Sequence, residues 1–241
     1  MSLLLILAAL AAEPIPARGT TVGSDVLVSP DGKVVFARSK EGGIEAIDTD
    51  TGKALWSNED ADKLAGVSGS WVYAWKADAK KPNRFRIVAL EAATGKTGVK
   101  SDDIAMPDWG TTEKAGGHSF RTAAHSDGRK MIVVWQANAH YYGGAAPTEE
   151  ILEAARKEAM GVVSVDLKTG KATVEDRKPK AEEYGATAAK VGAIEYRLDE
   201  QTPGFKPGAA MVTKVTLSAL KDDKLLWKRE LAGNPWSPPP P

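Results

Sequence analysis

Four times along the chain an apolar strand runs into a polar turn and leaves it as a second strand. The first copy is Ile44-Glu45-Ala46-Ile47-Asp48-Thr49-Asp50-Thr51-Gly52-Lys53-Ala54-Leu55-Trp56. It recurs at 87–99 around Thr94-Gly95-Lys96, at 162–174 around Thr169-Gly170-Lys171, and in degenerate form at 215–227 around Asp222-Asp223. Alternating apolar residues give each first strand one buried face. Thr-Gly-Lys predicts a tight hairpin, because its glycine accepts the positive φ such loops demand. Asp is the next best residue for that geometry. Two further strands are predicted upstream of each copy: 25–28 and 34–38, 65–67 and 71–76, 121–125 and 131–137, 186–190 and 193–198. Turn signals separate them at Pro30-Asp31-Gly32, Ser68-Gly69-Ser70, Ser126-Asp127-Gly128 and Gly192.

Each unit therefore reads strand, turn, strand, loop, strand, turn, strand, the composition of a propeller blade. The expected fold is all-β and propeller-like: four blades of four antiparallel strands, about 24–60, 63–102, 119–178 and 185–231, within a domain spanning 19–232. The turns lie 43, 75 and 53 residues apart, so the later units carry insertions. One is a predicted short helix. Thr148 supplies a cap, Glu149 and Glu150 fill the first turn, and Ile151, Leu152, Ala155 and Ala159 share a face. The other is the glycine-rich connection 101–118.

The string Ala46-x-Asp48-x-x-Thr51-Gly52-Lys53-x-x-Trp56 resembles the tryptophan-docking motif of the pyrroloquinoline quinone (PQQ)-like β-propeller repeat. Thr94, Gly95, Asp166, Thr169, Gly170 and Trp227 carry it through the other copies. Val99 and Val174 stand where the second and third copies would have tryptophan. The resemblance covers about 25–231. It implies that the tryptophans stack between neighbouring blades. Most members of the family have seven or eight blades; four could close as a ring, stay open, or complete a larger ring as a homodimer. The family holds both PQQ-dependent dehydrogenases and non-enzymatic scaffolds. The dehydrogenases use a calcium ion, a catalytic Asp and, in many, a disulfide of adjacent cysteines. No motif here places the first two, and the chain has no cysteine. The resemblance thus implies the scaffold without the active site: no cofactor, no metal and no catalytic residue are expected.

Composition narrows the partners. Lys plus Arg equals Asp plus Glu, 32 each. A neutral surface gives no broad footprint for nucleic acid. Leu3 to Leu10 is an unbroken apolar run, too short for a bilayer span of ~20 residues, and Ala9-Leu10-Ala11 offers a cleavage pattern. Residues 1–18 read as a signal peptide and leader, and the expected location is secreted or periplasmic. With no cysteine after the run, lipoprotein-type anchoring is excluded. After Trp236 the run Pro238 to Pro241 predicts a disordered proline-rich tail over 233–241. With a leader before the first unit and this tail after the last, the chain is expected to be whole.

Among candidate contacts, His140-Tyr141-Tyr142-Gly143-Gly144 follows a strand and could furnish aromatic contacts and a titratable ring at a binding mouth. Trp109, in a Pro-Asp-Trp-Gly loop, is the candidate exposed aromatic. Trp71, Trp75 and Trp135 are expected in inter-blade core. The Asp residues beside turns are expected to cap turn amides. His118 and His125 lack the third and fourth convergent ligands of a metal site. The expected role is binding of a protein or peptide; a degenerate quinoprotein oxidoreductase and a carbohydrate-binding module are the alternatives.

Overall fold

The computed structural model describes residues 16–23, 26–78, 80–106, 118–127, 129–139, 148, 149, 153, 158–201, 211, 212, 214–231, 235 and 236. Twenty-one strands form there. Sheet 1 holds β1 (Thr20–Gly23), β2 (Val26–Val28), β3 (Val34–Arg38), β4 (Ile44–Asp48) and β5 (Ala54–Asn58). Sheet 2 holds β6 (Lys63–Ser68), β7 (Trp71–Asp78), β8 (Lys81–Glu91), β9 (Thr97–Lys100) and β10 (Ile104–Ala105). Sheet 3 holds β11 (His118–Ser126), β12 (Lys130–Ala139), β13 (Glu158–Asp166) and β14 (Ala172–Glu175). After β15 (Ala186–Thr187), sheet 4 holds β16 (Lys190–Val191), β17 (Ile194–Gln201), β19 (Lys214–Lys221) and β20 (Lys224–Leu231). A two-residue ladder joins β18 (Met211–Val212) to β21 (Pro235–Trp236), which the sequence reading places in the tail.

The four antiparallel units are thus present, with additions at their margins. The first strand of sheet 4, expected over 186–190, is split. Ala186–Thr187 pairs in parallel with Thr20–Thr21, while Lys190–Val191 pairs with β17 across the Gly192 turn. The inserted helix is shorter than expected. Glu149 and Glu153 have helical backbone, but β13 already begins at Glu158. Ala159 stands opposite Ala137 in the β12–β13 ladder instead of lying on a helical face. Extending that ladder satisfies main-chain groups on both strands, which an isolated helical turn leaves open.

The sheets are too thin to shield their own apolar faces, and they stack in the order 4-1-2-3. Val26, Val28, Val35 and Ile47 of sheet 1 pack against Tyr196, Leu217, Ala219 and Trp227 of sheet 4. Leu27, Phe36 and Ile44 pack against Leu64, Val72, Val88 and Leu90 of sheet 2. Tyr73, Phe85 and Ile87 pack against Met131, Val133, Trp135 and Val163 of sheet 3. Trp75 extends this third core, edge-on to Phe85 and Phe120 with ring centroids 6.2 and 5.0 Å away. No hydrophobic cluster among the described residues joins sheet 3 to sheet 4. The seam between sheets 4 and 1 also carries the ion pair of Arg229 with Glu45, whose side chain is buried. Arg229 Nε donates to Glu45 Oε1 at 2.9 Å and Nη1 to the Gly52 carbonyl at 3.2 Å. Among the described residues no helix is long and apolar enough to cross a membrane.

Candidate functional site

The repeat motif builds the contacts between sheets. In sheet 1, Asp48 Oδ1 accepts from the Thr51 N–H and hydroxyl at 2.8 and 2.7 Å, which holds its carboxyl below the usual range. Asp166 accepts from Thr169 in the same way in sheet 3; in sheet 2, Thr94 Oγ1 donates to Glu91 at 2.8 Å. Gly52, Gly95 and Gly170 take φ values of 67°, 71° and 76°, and Asp222 and Asp223 take 49° and 60°.

On two of these turns an indole is laid. Trp56 covers Gly95, where a Cβ would come within 2.5 Å of the ring, and its Nε1 donates to the Ala92 carbonyl at 2.9 Å. Trp227 covers Gly52 and donates to the Thr49 carbonyl at 2.6 Å. Each sheet therefore docks its outer strand on the turn of the next, in the sense 4 to 1 to 2. Between sheets 2 and 3 the chain makes the contact itself: the Lys100 carbonyl lies against Gly170, and the Asp102 N–H donates to the Gly170 carbonyl at 2.9 Å. Trp227→Phe, which keeps a ring over the turn but loses the N–H and part of the indole's packing, is expected to cost about 2 kcal/mol and to lower the melting midpoint by about 4–8 °C. Differential scanning calorimetry would show it.

Sheet 3 breaks the pattern. In sheets 1, 2 and 4 a β-bulge in the outer hairpin sets Ala46 opposite Trp56, Ala89 opposite Val99 and Ala219 opposite Trp227. The β13–β14 ladder has no bulge: Val165, Ser164 and Val163 face Ala172, Thr173 and Val174 in unbroken register. A slip of one residue turns a side chain to the other face. Val174, aligned with Trp56 by sequence, therefore points backward toward sheet 2, so its equivalence to the docking tryptophan is corrected. It is 79% exposed. Beside it opens a cleft of about 350 Å³ between β10 and sheet 3. Trp135, Gly161 and Val163 form its floor, Ile104 one wall, and Asp176 and Lys178 its charged rim. Trp135 lies flat over Gly161, where a Cβ would meet its Nε1 at 2.6 Å.

A strap, residues 176–185, crosses the forward face of sheet 3, the position a following sheet would take. It ends in a turn of 3-10 helix at Ala181–Tyr184. Tyr184 packs on Ala123, Ile132, Val134 and Val162 and lies under the Arg121 guanidinium, 4.2 Å from the ring centroid. Arg177 clasps both Glu183 oxygens at 2.8 Å and Glu175 at 2.7 Å, holding the Glu183 carboxyl down to about 2. At the axis, the strap, Arg18 and the inner strands line a small, half-open cavity of about 20 Å³, room for one water. His125 lines it. The residue is 7% exposed, its Nδ1 has no hydrogen-bond partner, and burial, helped by Arg18, pushes its pKa down to about 4.

Of the expected binding residues, Trp109, His140, Tyr141 and Tyr142 lie outside the described residues. Trp71, Trp75 and Trp135 pack in the core between sheets 2 and 3. Among the described residues no three His, Asp or Glu side chains gather as a metal site. The cleft was missed by sequence reading, since the absence of a bulge leaves no mark in motif spacing.

No family model matches the chain, and no curated protein matches it. Among solved structures, the chain is similar to a quinohemoprotein alcohol dehydrogenase from Pseudomonas putida HK5, at 14% identity and a TM-score of 0.34. The match covers 82% of this chain and 33% of that one, so the chain spans about a third of that protein's length.

Proposed function

We propose that the chain is an exported, non-catalytic binding module of the quinoprotein-like propeller type, taking a protein or peptide partner. The observation that carries this reading is the cleft beside β14. It is open, has an apolar floor and a charged rim, and lies where the sheet-to-sheet docking pattern stops. Binding sites are concave and largely apolar with a few polar groups at the edge. The apolar run at Leu3 to Leu10 supports export. The repeat supplies a rigid frame, and the motif residues that define it are engaged in turns and seams.

The competing reading is an oxidoreductase that uses PQQ with calcium. A ligand that binds only the folded state raises the melting midpoint by mass action. With PQQ and calcium chloride present together, the midpoint is expected to stay where it is with calcium alone. A saturable upward shift specific to PQQ would overturn the non-catalytic reading.

A further inference from the structure

The four outer strands differ in how they treat their free edge. A sheet edge presents unpaired N–H and C=O groups that recruit other chains, and bulges are one device that twists an edge away. β5, β9 and β20 are each bulged against their neighbours. β14 is not, and it closes the order β11-β12-β13-β14 as a terminal strand. Its phase is fixed by the turn, where the Asp166 N–H donates to the Lys171 carbonyl at 3.0 Å. Hydrogen-bonded pairs then alternate along an antiparallel ladder. Thr173 and Glu175 bond to β13, and Ala172 and Val174 turn their main-chain groups outward. Ala172 shows this directly, donating outward to Asp102 Oδ2 at 3.2 Å. Val174 is left with an outward N–H and C=O, an exposed side chain, and the cleft alongside.

We infer that β14 is a strand-addition site. Its ligand is an extended peptide segment that pairs with Val174 along the free edge and lays an apolar side chain on the cleft floor formed by Trp135 and Val163. Main-chain pairing supplies affinity, and the pocket for alternate side chains supplies selection. This deepens the binding reading above and rests on it.

The test begins with a phage-displayed random dodecapeptide library selected on the full chain. Enriched peptides are synthesised and measured by fluorescence anisotropy. Val174→Pro deletes the outward N–H, and a proline whose missing N–H faces solvent is tolerated on an edge strand. Val174→Ala keeps the N–H. The expected result is peptides rich in alternating apolar residues. They should bind Val174→Pro about tenfold more weakly or worse, the equivalent of one main-chain hydrogen bond, and retain binding to Val174→Ala. In the wild-type complex the Val174 amide should exchange more slowly, a readout that does not depend on the proline variant folding. Peptides that bind Val174→Pro undiminished and leave the Val174 amide unprotected would overturn strand addition while leaving the binding role standing. A library that yields no enriched peptide would overturn both.

Discussion

Gly66→Ala is expected to lower the melting midpoint by about 6–12 °C, a loss on the order of 3 kcal/mol for a domain of this size. The reason is a contact between backbones. A Cβ built on Gly66 of β6 would lie 1.9 Å from the Ala124 carbonyl oxygen of β11 and 3.0 Å from its carbon. No rotamer change relieves this, because both partners are main chain. Sheets 2 and 3 would have to separate near the axis, where Ala65 and Ala124 are part of the shared core. The comparison variant is Gly192→Ala. That glycine has positive φ, 60°, which Gly66 does not, yet nothing lies within 4 Å of its would-be Cβ. Only the left-handed strain of about 1–2 kcal/mol remains there. Thermal unfolding of the two should differ clearly, and equal losses would refute the close approach of the two sheets.

Acid should also destabilise the fold, and the pH range is set by His125. In the folded chain its pKa is about 4, against about 6.5 when solvated. A base whose pKa is depressed by folding contributes nothing unfavourable above pH 6.5. As pH falls from 6.5 to 4 the unfolded state takes up the proton first, so stability declines across that window and levels off below it. The shift corresponds to up to about 3 kcal/mol. The groups facing His125 do not cancel this. Arg18 and Arg177 oppose its proton, while Glu183 and Asp127 favour it but do not outweigh burial. Glu183 itself titrates below its usual range, so its pair with Arg177 persists through the window. Guanidinium unfolding of the native chain and of His125→Leu at pH 7 and pH 4 would measure it. The leucine variant should lose markedly less stability on acidification. Parallel declines would show that another group governs the acid response.

What the sequence made legible was local. The Thr-Gly-Lys turns needed only a glycine and an Asp or Glu nearby, and the strands on either side of them stand where alternation places them. Residues with distant partners were harder to read. Thr20–Gly23 has no strong strand signal of its own and is held by Val26–Val28 on one side and Ala186–Thr187 on the other. Gly19 fits only because its missing side chain leaves room for Val67 and the Val28 carbonyl. Phe85 and Phe120, absent from the motif, complete the aromatic cluster around Trp75. Val174 is the plainest case. Spacing aligns it with Trp56, and only the ladder register reveals that it faces the opposite way.

The seam between sheets 4 and 1 has a bearing on how the chain reaches its native state. Its contacts join residues 178 and 184 positions apart, Thr49 to Trp227 and Glu45 to Arg229. Nothing that emerges early can complete it. During synthesis the valine-rich rear of sheet 1 stays bare until Leu231 has been made, although sheets 1, 2 and 3 can assemble in order as they appear. Contacts of such sequence separation slow folding and lengthen the time that sticky surface is uncovered. For this architecture the fourth sheet, made long after the first, is the one that shields it.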